Sequence, residues 1–231
     1  MVNDVYTYLL DTYDLQMLIA ALFVETGGVY FDVEGVEPWD EVRDARTYPG
    51  PWPVVCHPPC QRWGRFWHGS PRKPHQFRFG DDKGCFASAL AAVRRFGGVI
   101  EHPADSGAWN RKDHPKRPGF GLPIPDRAGG WSEPDEFGGR SCCVDQGHYG
   151  NAARKRTWLY AVRIIFRDLI WGPCDQRIPT WMIDRYGYAK ARKIGIVAMV
   201  GGKDKQVKRN RSPLLFRDLL ISLAIDDSNG H

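Results

Sequence analysis

The segment Val54-Val55-Cys56-His57-Pro58-Pro59-Cys60-Gln61 places a cysteine just after a short apolar run. The apolar residues predict a buried strand over residues 53–57. The two prolines then stiffen the backbone, because each fixes its own φ and restricts the residue before it. We therefore expect Cys60 to be held at the end of a strand, where a thiol can act as a nucleophile.

A carboxylate stands in a similar setting 41 residues later, where Val99 and Ile100 precede Glu101. Between the two lies a predicted helix over residues 83–96, capped by Asp81 or Asp82. One face of it carries apolar residues at i, i+3, i+4 and i+7, namely Phe86, Ala89, Leu90 and Val93. A strand, a helix and a second strand in this order indicate a crossover unit in a parallel sheet. Both groups are thus expected around one pocket.

The remaining pattern completes an α/β fold. A helix over 3–16, a buried strand over 18–24 and a closing helix from Ser212-Pro213 are predicted, with strands over 142–145 and 157–162. We predict one catalytic domain, 1–231, built on a mostly parallel, doubly wound, reduced Rossmann-like sheet. Residues 61–82 and 104–140 are predicted basic or aromatic active-site loops. Residues 168–211 are expected to form a small target-recognition element.

Composition narrows the class of protein. The chain has 231 residues, of which 42% are hydrophobic and 26% charged, as in ordinary globular domains. No signal peptide or membrane-spanning run is apparent, and six cysteines without a secretory signal indicate reduced thiols in a cytoplasm. A net charge of +5 permits a nucleic-acid partner.

The basic residues are clustered, and the first cluster is interleaved with tryptophans and phenylalanines. This combination favours a polyanion such as DNA, although any single cluster would suit a solvated surface. The clusters are Arg62, Arg65, Arg72, Lys73 and Arg78; then Arg154, Lys155 and Arg156; and then Lys203, Lys205, Lys208, Arg209 and Arg211.

Three ordered motifs, spanning about residues 50–165, resemble those of the DNA cytosine C5-methyltransferase superfamily. Residues 58–61 are similar to its Pro-Pro-Cys-Gln nucleophile motif. Residues 101–103 are similar to its Glu-Asn-Val motif, with the Glu kept. Residues 152–156 resemble its Gln-x-Arg-x-Arg stretch, with both arginines kept and the Gln replaced by Ala152. The first motif alone is weak, and the ordered set is more specific.

The resemblance implies a mechanism and a set of site residues. Cys60 would add to C6 of a cytosine flipped out of DNA, which makes C5 reactive, while Glu101 holds N3 and the exocyclic amine. Arg154 and Arg156 would contact the base and Lys155 the DNA backbone. Further substrate-binding candidates are Gln61, Arg62, His102 and Asn151. No metal ion is implied, and the setting would be the cytoplasm of a bacterium or phage-infected host.

The one-carbon donor is the point at which the chain departs from the family. The expected Gly-rich loop for S-adenosylmethionine corresponds to residues 23–28, and only 32 residues separate Gly28 from Cys60, too few for the usual two strands with helices. The shortened region resembles phage-type DNA cytosine methylenetransferases, which implies methylenetetrahydrofolate as donor and 5-hydroxymethylcytosine as product. S-adenosylmethionine is the alternative. Cofactor-binding candidates are Glu25, Gly27, Trp39 and Tyr48, with the two rings stacking on a pterin.

Other functions stay open from the sequence. A non-catalytic DNA-binding relic would keep the motifs without a donor site, and an enzyme acting on free dCMP would use the same chemistry. A zinc-stabilised module is a further alternative, because Cys56, His57 and Cys60 are spaced as zinc ligands and Cys142 and Cys143 could complete the set.

Overall fold

The computed structural model describes residues 19–69, 72, 77–151, 154–175, 178, 180–194 and 212–225. The strands are β1 (Ile19–Leu22), β2 (Val36–Trp39), β3 (Val54–Cys56), β4 (Gly98–Pro103), β5 (Arg140–Asp145) and β6 (Arg156–Val162). The helices are α1 (Cys85–Phe96), α2 (Thr180–Tyr186), α3 (Tyr188–Ile194) and α4 (Leu214–Ile225). Short 3-10 turns occupy Ala45–Thr47, Gly107–Trp109 and Gln146–Tyr149.

The strands form one mixed sheet in the order β2-β1-β3-β4-β6-β5. Strands β2, β1, β3 and β4 pair in parallel, whereas β6 runs antiparallel to both of its neighbours, β4 and β5. The predicted α/β class is confirmed. The sheet is mixed, because β6 enters it from the opposite direction.

The central strands are buried on both faces, which is why they consist of almost unbroken apolar residues. Side chains alternate between two clusters with the period of two expected of a strand. In β1, Ala20 and Leu22 face the α1 side, while Ile19 and Ala21 face the α4 side. Strands β3 and β4 alternate in the same way. The core therefore consists of two apolar layers, one on each face of the sheet.

The path of the chain creates a crevice at one edge of the sheet. From β1 the chain moves outward to β2 and then crosses back to place β3 on the other side of β1. In open α/β sheets, ligands bind outside the carboxyl ends of the strands where the winding direction reverses in this way. The loops after β1 and β3 meet at this point.

Most predicted elements are present with boundaries shifted by a few residues, but β2 was not predicted. Its four residues, Val-Glu-Pro-Trp, contain a proline and show no clear alternation. The predicted helix over 3–16 and the third basic cluster lie outside the described residues. Within the recognition region, α2 and α3 are described, whereas 195–211 lie outside the description.

The start of α1 is tied to the turn that carries Cys60. The N-cap residue of α1 is Gly84 rather than the predicted Asp81 or Asp82, but Asp82 Oδ2 still accepts a hydrogen bond of 2.9 Å from the Phe86 backbone N–H in the first turn. The same oxygen accepts 2.8 Å from the indole Nε1 of Trp63. The Trp63 backbone N–H in turn donates to the carbonyl of Cys60 at 3.1 Å. One buried carboxylate thus joins the helix and the nucleophile turn.

Among the residues that the structure describes, no helix has the length and apolar character needed to cross a bilayer.

Strands β3 and β4 pack too closely for a side chain at Gly98. Its φ is +113°, and a Cβ at this position would lie 2.0 Å from the carbonyl oxygen of Val54. Gly98→Ala is expected to lower the free energy of unfolding by about 3 kcal/mol or more, because the clash is with backbone of the central sheet. Urea denaturation followed by circular dichroism measures it.

Gly138→Ala is the matched control. Gly138 also has a positive φ, +71°, but nothing lies within 4 Å of the place that an added Cβ would occupy. Its cost should be only about 1–2 kcal/mol, the ordinary penalty for a left-handed residue. Equal losses in the two variants would contradict the importance of the β3–β4 approach.

Candidate active site

A cleft of about 1010 Å³ lies outside the carboxyl ends of β1, β3 and β4. The loop after β1 supplies residues 23–30, the turn after β3 supplies 57–61, and the end of β4 supplies 101–103. Lys155 enters from the start of β6, and Arg217 from α4. Because β6 runs antiparallel to β4, its first residues lie beside the last residues of β4. Separate parts of the chain thus converge on one opening.

Cys60 and Glu101 lie together in this cleft, as the sequence predicts. Their surroundings in the cleft shift the pKa of the Cys60 thiol. Burial raises the pKa of the Cys60 thiol, the Glu101 carboxylate raises it further, and Lys155 opposes the rise. The resting thiol is therefore protonated near neutral pH, and it must lose its proton when it acts as a nucleophile.

The Glu101 carboxylate, only 8% exposed, is compensated by hydrogen bonds on both oxygens. Oε2 accepts from His57 Nδ1 at 3.0 Å, and Oε1 accepts from Gln146 Nε2 at 3.2 Å. Burial alone would raise the pKa of Glu101, but the His57 hydrogen bond and charge, with help from Lys155, bring it down to about 2. The group is an anion at neutral pH.

Tyr30 and Gln146 extend the network around Glu101. The Tyr30 hydroxyl lies 2.8 Å from His57 Nε2, so the ring is held from both sides and presents Nδ1–H to Glu101. Gln146 Nε2 also donates to Thr157 Oγ1 at 2.9 Å, and its own Oε1 is buried without a partner among the described residues.

The sequence did not identify His57, Tyr30 or Gln146 as functional residues. The sequence points to His57 only as a zinc ligand, although a histidine at the end of the strand predicted next to that of Glu101 is a usable signal. Tyr30 and Gln146 had no such signal, because they reach Glu101 only through long-range contacts.

The three residues Arg154, Lys155 and Arg156 are placed differently from the prediction. Lys155 lines the cleft, so it is nearest the reacting groups. Arg154 Nε donates instead to the Cys174 carbonyl at 2.7 Å, and Arg156 pairs with Asp105 at 3.6 Å. Alternate residues along an extended chain point in opposite directions, so Arg154 and Arg156 point away from the cleft that Lys155 lines. This corrects the prediction that the two arginines contact the base.

Of the other predicted substrate-binding residues, some line the cleft and some lie outside it. Gln61 lines the cleft. Arg62 is outside it, stacked on Phe77 at 3.4 Å and bonded to the Trp67 carbonyl. His102 contributes to the cleft wall, but its ring is buried against Phe86 and Trp109, and burial lowers its pKa to about 4. Asn151 is also outside the cleft, and its backbone N–H donates to the Gln146 carbonyl at 3.0 Å.

Two of the four predicted donor-binding residues line the cleft, and the other two are buried in the core. Glu25 and Gly27 line the cleft in the loop after β1. Trp39 and Tyr48 do not, because their rings are buried in the α1-side core, edge to face at 5.3 Å. This corrects the expectation that they stack on a pterin. The side chain of Asp40, just after β2, is occupied by Thr26 and two backbone N–H groups.

The charges of the cleft are unevenly distributed. Glu25, Asp32 and Glu41 line its β1–β2 side, and Glu101 lies deeper. The cations among its lining residues are Lys155 and Arg217. The β1–β2 side therefore favours a cationic or hydroxyl-rich ligand over a polyanion.

The zinc alternative has no support in the described part of the chain, where no three metal-ligating side chains are grouped to hold an ion. Cys56 is in the core, His57 is engaged by Tyr30 and Glu101, and Cys142 and Cys143 face opposite layers of the core. All six cysteines are free thiols.

Alkylation of Cys60 by iodoacetamide should accelerate as pH rises through and beyond the ordinary thiol value of 9.0, because the pKa of this thiol is raised. Glu101→Gln removes a nearby negative charge and so lowers that pKa. We expect this variant to be alkylated at Cys60 about three- to tenfold faster near pH 8. Peptide mapping by mass spectrometry measures the rate at each cysteine.

Cys85 is the internal control, because its pKa is raised by burial and by Asp82 rather than by Glu101. Its alkylation rate should be unchanged in Glu101→Gln. A Cys60 rate that falls or stays the same in this variant would show that the two groups do not interact as the geometry indicates.

Comparison with known proteins gives no relative from which a function could be transferred. No family model matches the chain, and no curated protein or solved structure matches it. The chemistry of the cleft itself is therefore the basis for inferring what the protein does.

Proposed function

We propose that the protein transfers a one-carbon unit to C5 of a cytosine in DNA, with Cys60 as the nucleophile. The observation that carries the proposal is the convergence of the Cys60 thiol and the ionised Glu101 carboxylate in one cleft, at the carboxyl ends of parallel strands. The sheet order is compatible with a reduced methyltransferase-type core that retains this edge.

The proposed roles follow from the chemistry of cytosine. The Cys60 thiolate adds to C6, which moves electron density to C5 and toward N3. C5 would then bond to the one-carbon group while that group's bond to the donor's sulfur or nitrogen breaks, and loss of the C5 proton to a base would expel the thiolate. With a folate donor, water would add to the transferred methylene to give the hydroxymethyl group. Glu101 offers two oxygens to the N3–N4 edge, and Lys155 favours the thiolate and offsets negative charge in the cleft.

DNA is the proposed substrate because basic and aromatic groups surround the nucleophile turn. Phe66 is 74% exposed in the loop that follows Cys60, and Arg65 beside it is also exposed. Exposed rings next to cations suit stacking on bases along a phosphate backbone. The long loop after β4 adds exposed residues at 111–118, several of them basic.

The donor is either S-adenosylmethionine or methylenetetrahydrofolate. The carboxylates of Glu25, Asp32 and Glu41 favour S-adenosylmethionine, whose sulfonium and ribose hydroxyls complement acidic groups. The anionic glutamate tail of a folate would be repelled on this side, and Trp39 and Tyr48 are too buried to stack on its pterin. The shortened region after Gly28 remains the argument for the folate, which would yield 5-hydroxymethylcytosine.

Covalent trapping tests the transfer. Duplex DNA randomised around a central 5-fluorocytosine, incubated with the protein and both donors, should form an adduct that survives denaturing electrophoresis. The wild type should form it and Cys60→Ala should not, since no sulfur is available to bond C6. Cys85→Ala is the matched control and should be trapped like the wild type. An adduct in Cys60→Ala, or salt-sensitive binding alone in the wild type, would refute the proposal.

Mass spectrometry of nucleosides from treated DNA separates the donors. A methyl gain with S-adenosylmethionine is the expected result, and a hydroxymethyl gain with methylenetetrahydrofolate would assign the folate instead. Running free dCMP alongside DNA decides whether the substrate is polymeric. Modification of dCMP but not of DNA would contradict the assignment of DNA as substrate.

A further inference from the structure

The contact between His57 and Glu101 has a consequence for the choice of base. We propose that His57 is a specificity-determining positioning residue: it holds the Glu101 carboxylate in its ionised form, so that the cleft accepts cytosine and rejects uracil. The inference rests on the proposed function and deepens it.

The geometry gives His57 this role. Its Nδ1 lies 3.0 Å from Glu101 Oε2, its Nε2 lies 2.8 Å from the Tyr30 hydroxyl, and the pair is largely buried. Gln146 Nε2 donates to the other oxygen at 3.2 Å. Both neighbours of the carboxylate are hydrogen-bond donors, which favours the anion over the neutral acid. Without the His57 donor, burial, which favours the neutral acid, would lose its largest opposing influence.

Other charged groups act on Glu101 and on Tyr30, and those that lower the pKa of Glu101 have smaller effects than His57. Lys155 favours the anion of Glu101. His102, whose pKa is lowered to about 4, does so only when it is protonated, and Cys60 is a neutral thiol at rest. The groups acting on Tyr30, behind His57, are Arg217, Asp218 and Cys56, besides Glu101 itself. Among all these influences, the His57 hydrogen bond and charge oppose burial most strongly.

An ionised Glu101 distinguishes the two bases through one proton. The two carboxylate oxygens face two adjacent atoms of the base edge. Each of these two contacts is a hydrogen bond only if one of its atoms carries a proton. With cytosine, the carboxylate accepts from the N4 amine, and N3 of the ring can carry that proton, which is taken up from solvent. With uracil, N3 already donates, and O4 is too weakly basic, so the proton must reside on Glu101. The harder Glu101 is to protonate, the more strongly uracil is rejected.

Adduct formation with DNA containing 5-fluorocytosine or 5-fluorouracil, both donors present, measures this selection. The wild type should trap the cytosine duplex about 100-fold faster than the uracil duplex, because a correct pair of hydrogen bonds to a base edge discriminates against the wrong base by roughly this factor. His57→Leu keeps the bulk but loses the donor, and its preference should fall to about tenfold or less. His57→Asn keeps a donor near the Nδ1 position and should restore most of the preference. His148→Ala, a histidine outside the cleft, should behave like the wild type.

A second measurement reports on Glu101 directly and does not depend on activity. In protein carrying ¹³C at the glutamate carboxyls, the Glu101 resonance is the one missing from Glu101→Gln. It should titrate below about pH 4 in the wild type and in His57→Asn, and well above that in His57→Leu. A wild-type resonance that titrates above pH 5 would overturn the proposal without any variant.

The outcomes separate the two proposals. An unchanged base preference in His57→Leu, or an unchanged Glu101 titration, would overturn the role of His57 while leaving the transferase intact. Absence of adducts from the wild type would refute the transferase, and the titration would still decide whether His57 holds Glu101 ionised. Loss of the base preference together with a raised titration in His57→Leu, both rescued by His57→Asn, supports the inference.

Discussion

A buried carboxylate must be matched by donors, and the arrangement of the cleft follows from that requirement. Glu101 lies near the carboxyl end of the central strand β4, where water has little access, and an uncompensated charge there would cost several kcal/mol. His57 follows β3, Gln146 follows β5, and Lys155 precedes β6. Each is the first or second residue beyond a strand end, so the charge is matched by the same edge of the sheet that exposes the thiol.

That convergence depends on strand direction. Strands β1, β3 and β4 run parallel, so their carboxyl ends meet, and β6 is inserted antiparallel so that its beginning meets the same edge. A sheet that was parallel throughout would have carried Lys155 to the far side of the molecule. The mixed topology is thus part of the chemistry of the cleft.

Sequence reasoning located Cys60 and Glu101 because both follow strong apolar runs and flank a helix with a clear apolar face. It failed where a residue's environment depends on distant parts of the chain. Strand β2 was missed because four residues including a proline carry little pattern, and Trp39 was assigned to a ligand because sequence does not report burial. The sequence also places Arg154 and Arg156 rather than Lys155 in the cleft, because the direction of each side chain depends on where β6 begins. Tyr30 and Gln146 have no local signature.

The carboxylate of Asp82 has a consequence for local opening of the protein. Asp82 holds both the first turn of α1 and the indole of Trp63, whose backbone N–H donates to the Cys60 carbonyl, so we expect these two segments to open together. Fraying of that helix end would displace the sulfur while the sheet stays folded. Reactivity would then disappear before global melting begins, and heat inactivation would be governed by this small local opening.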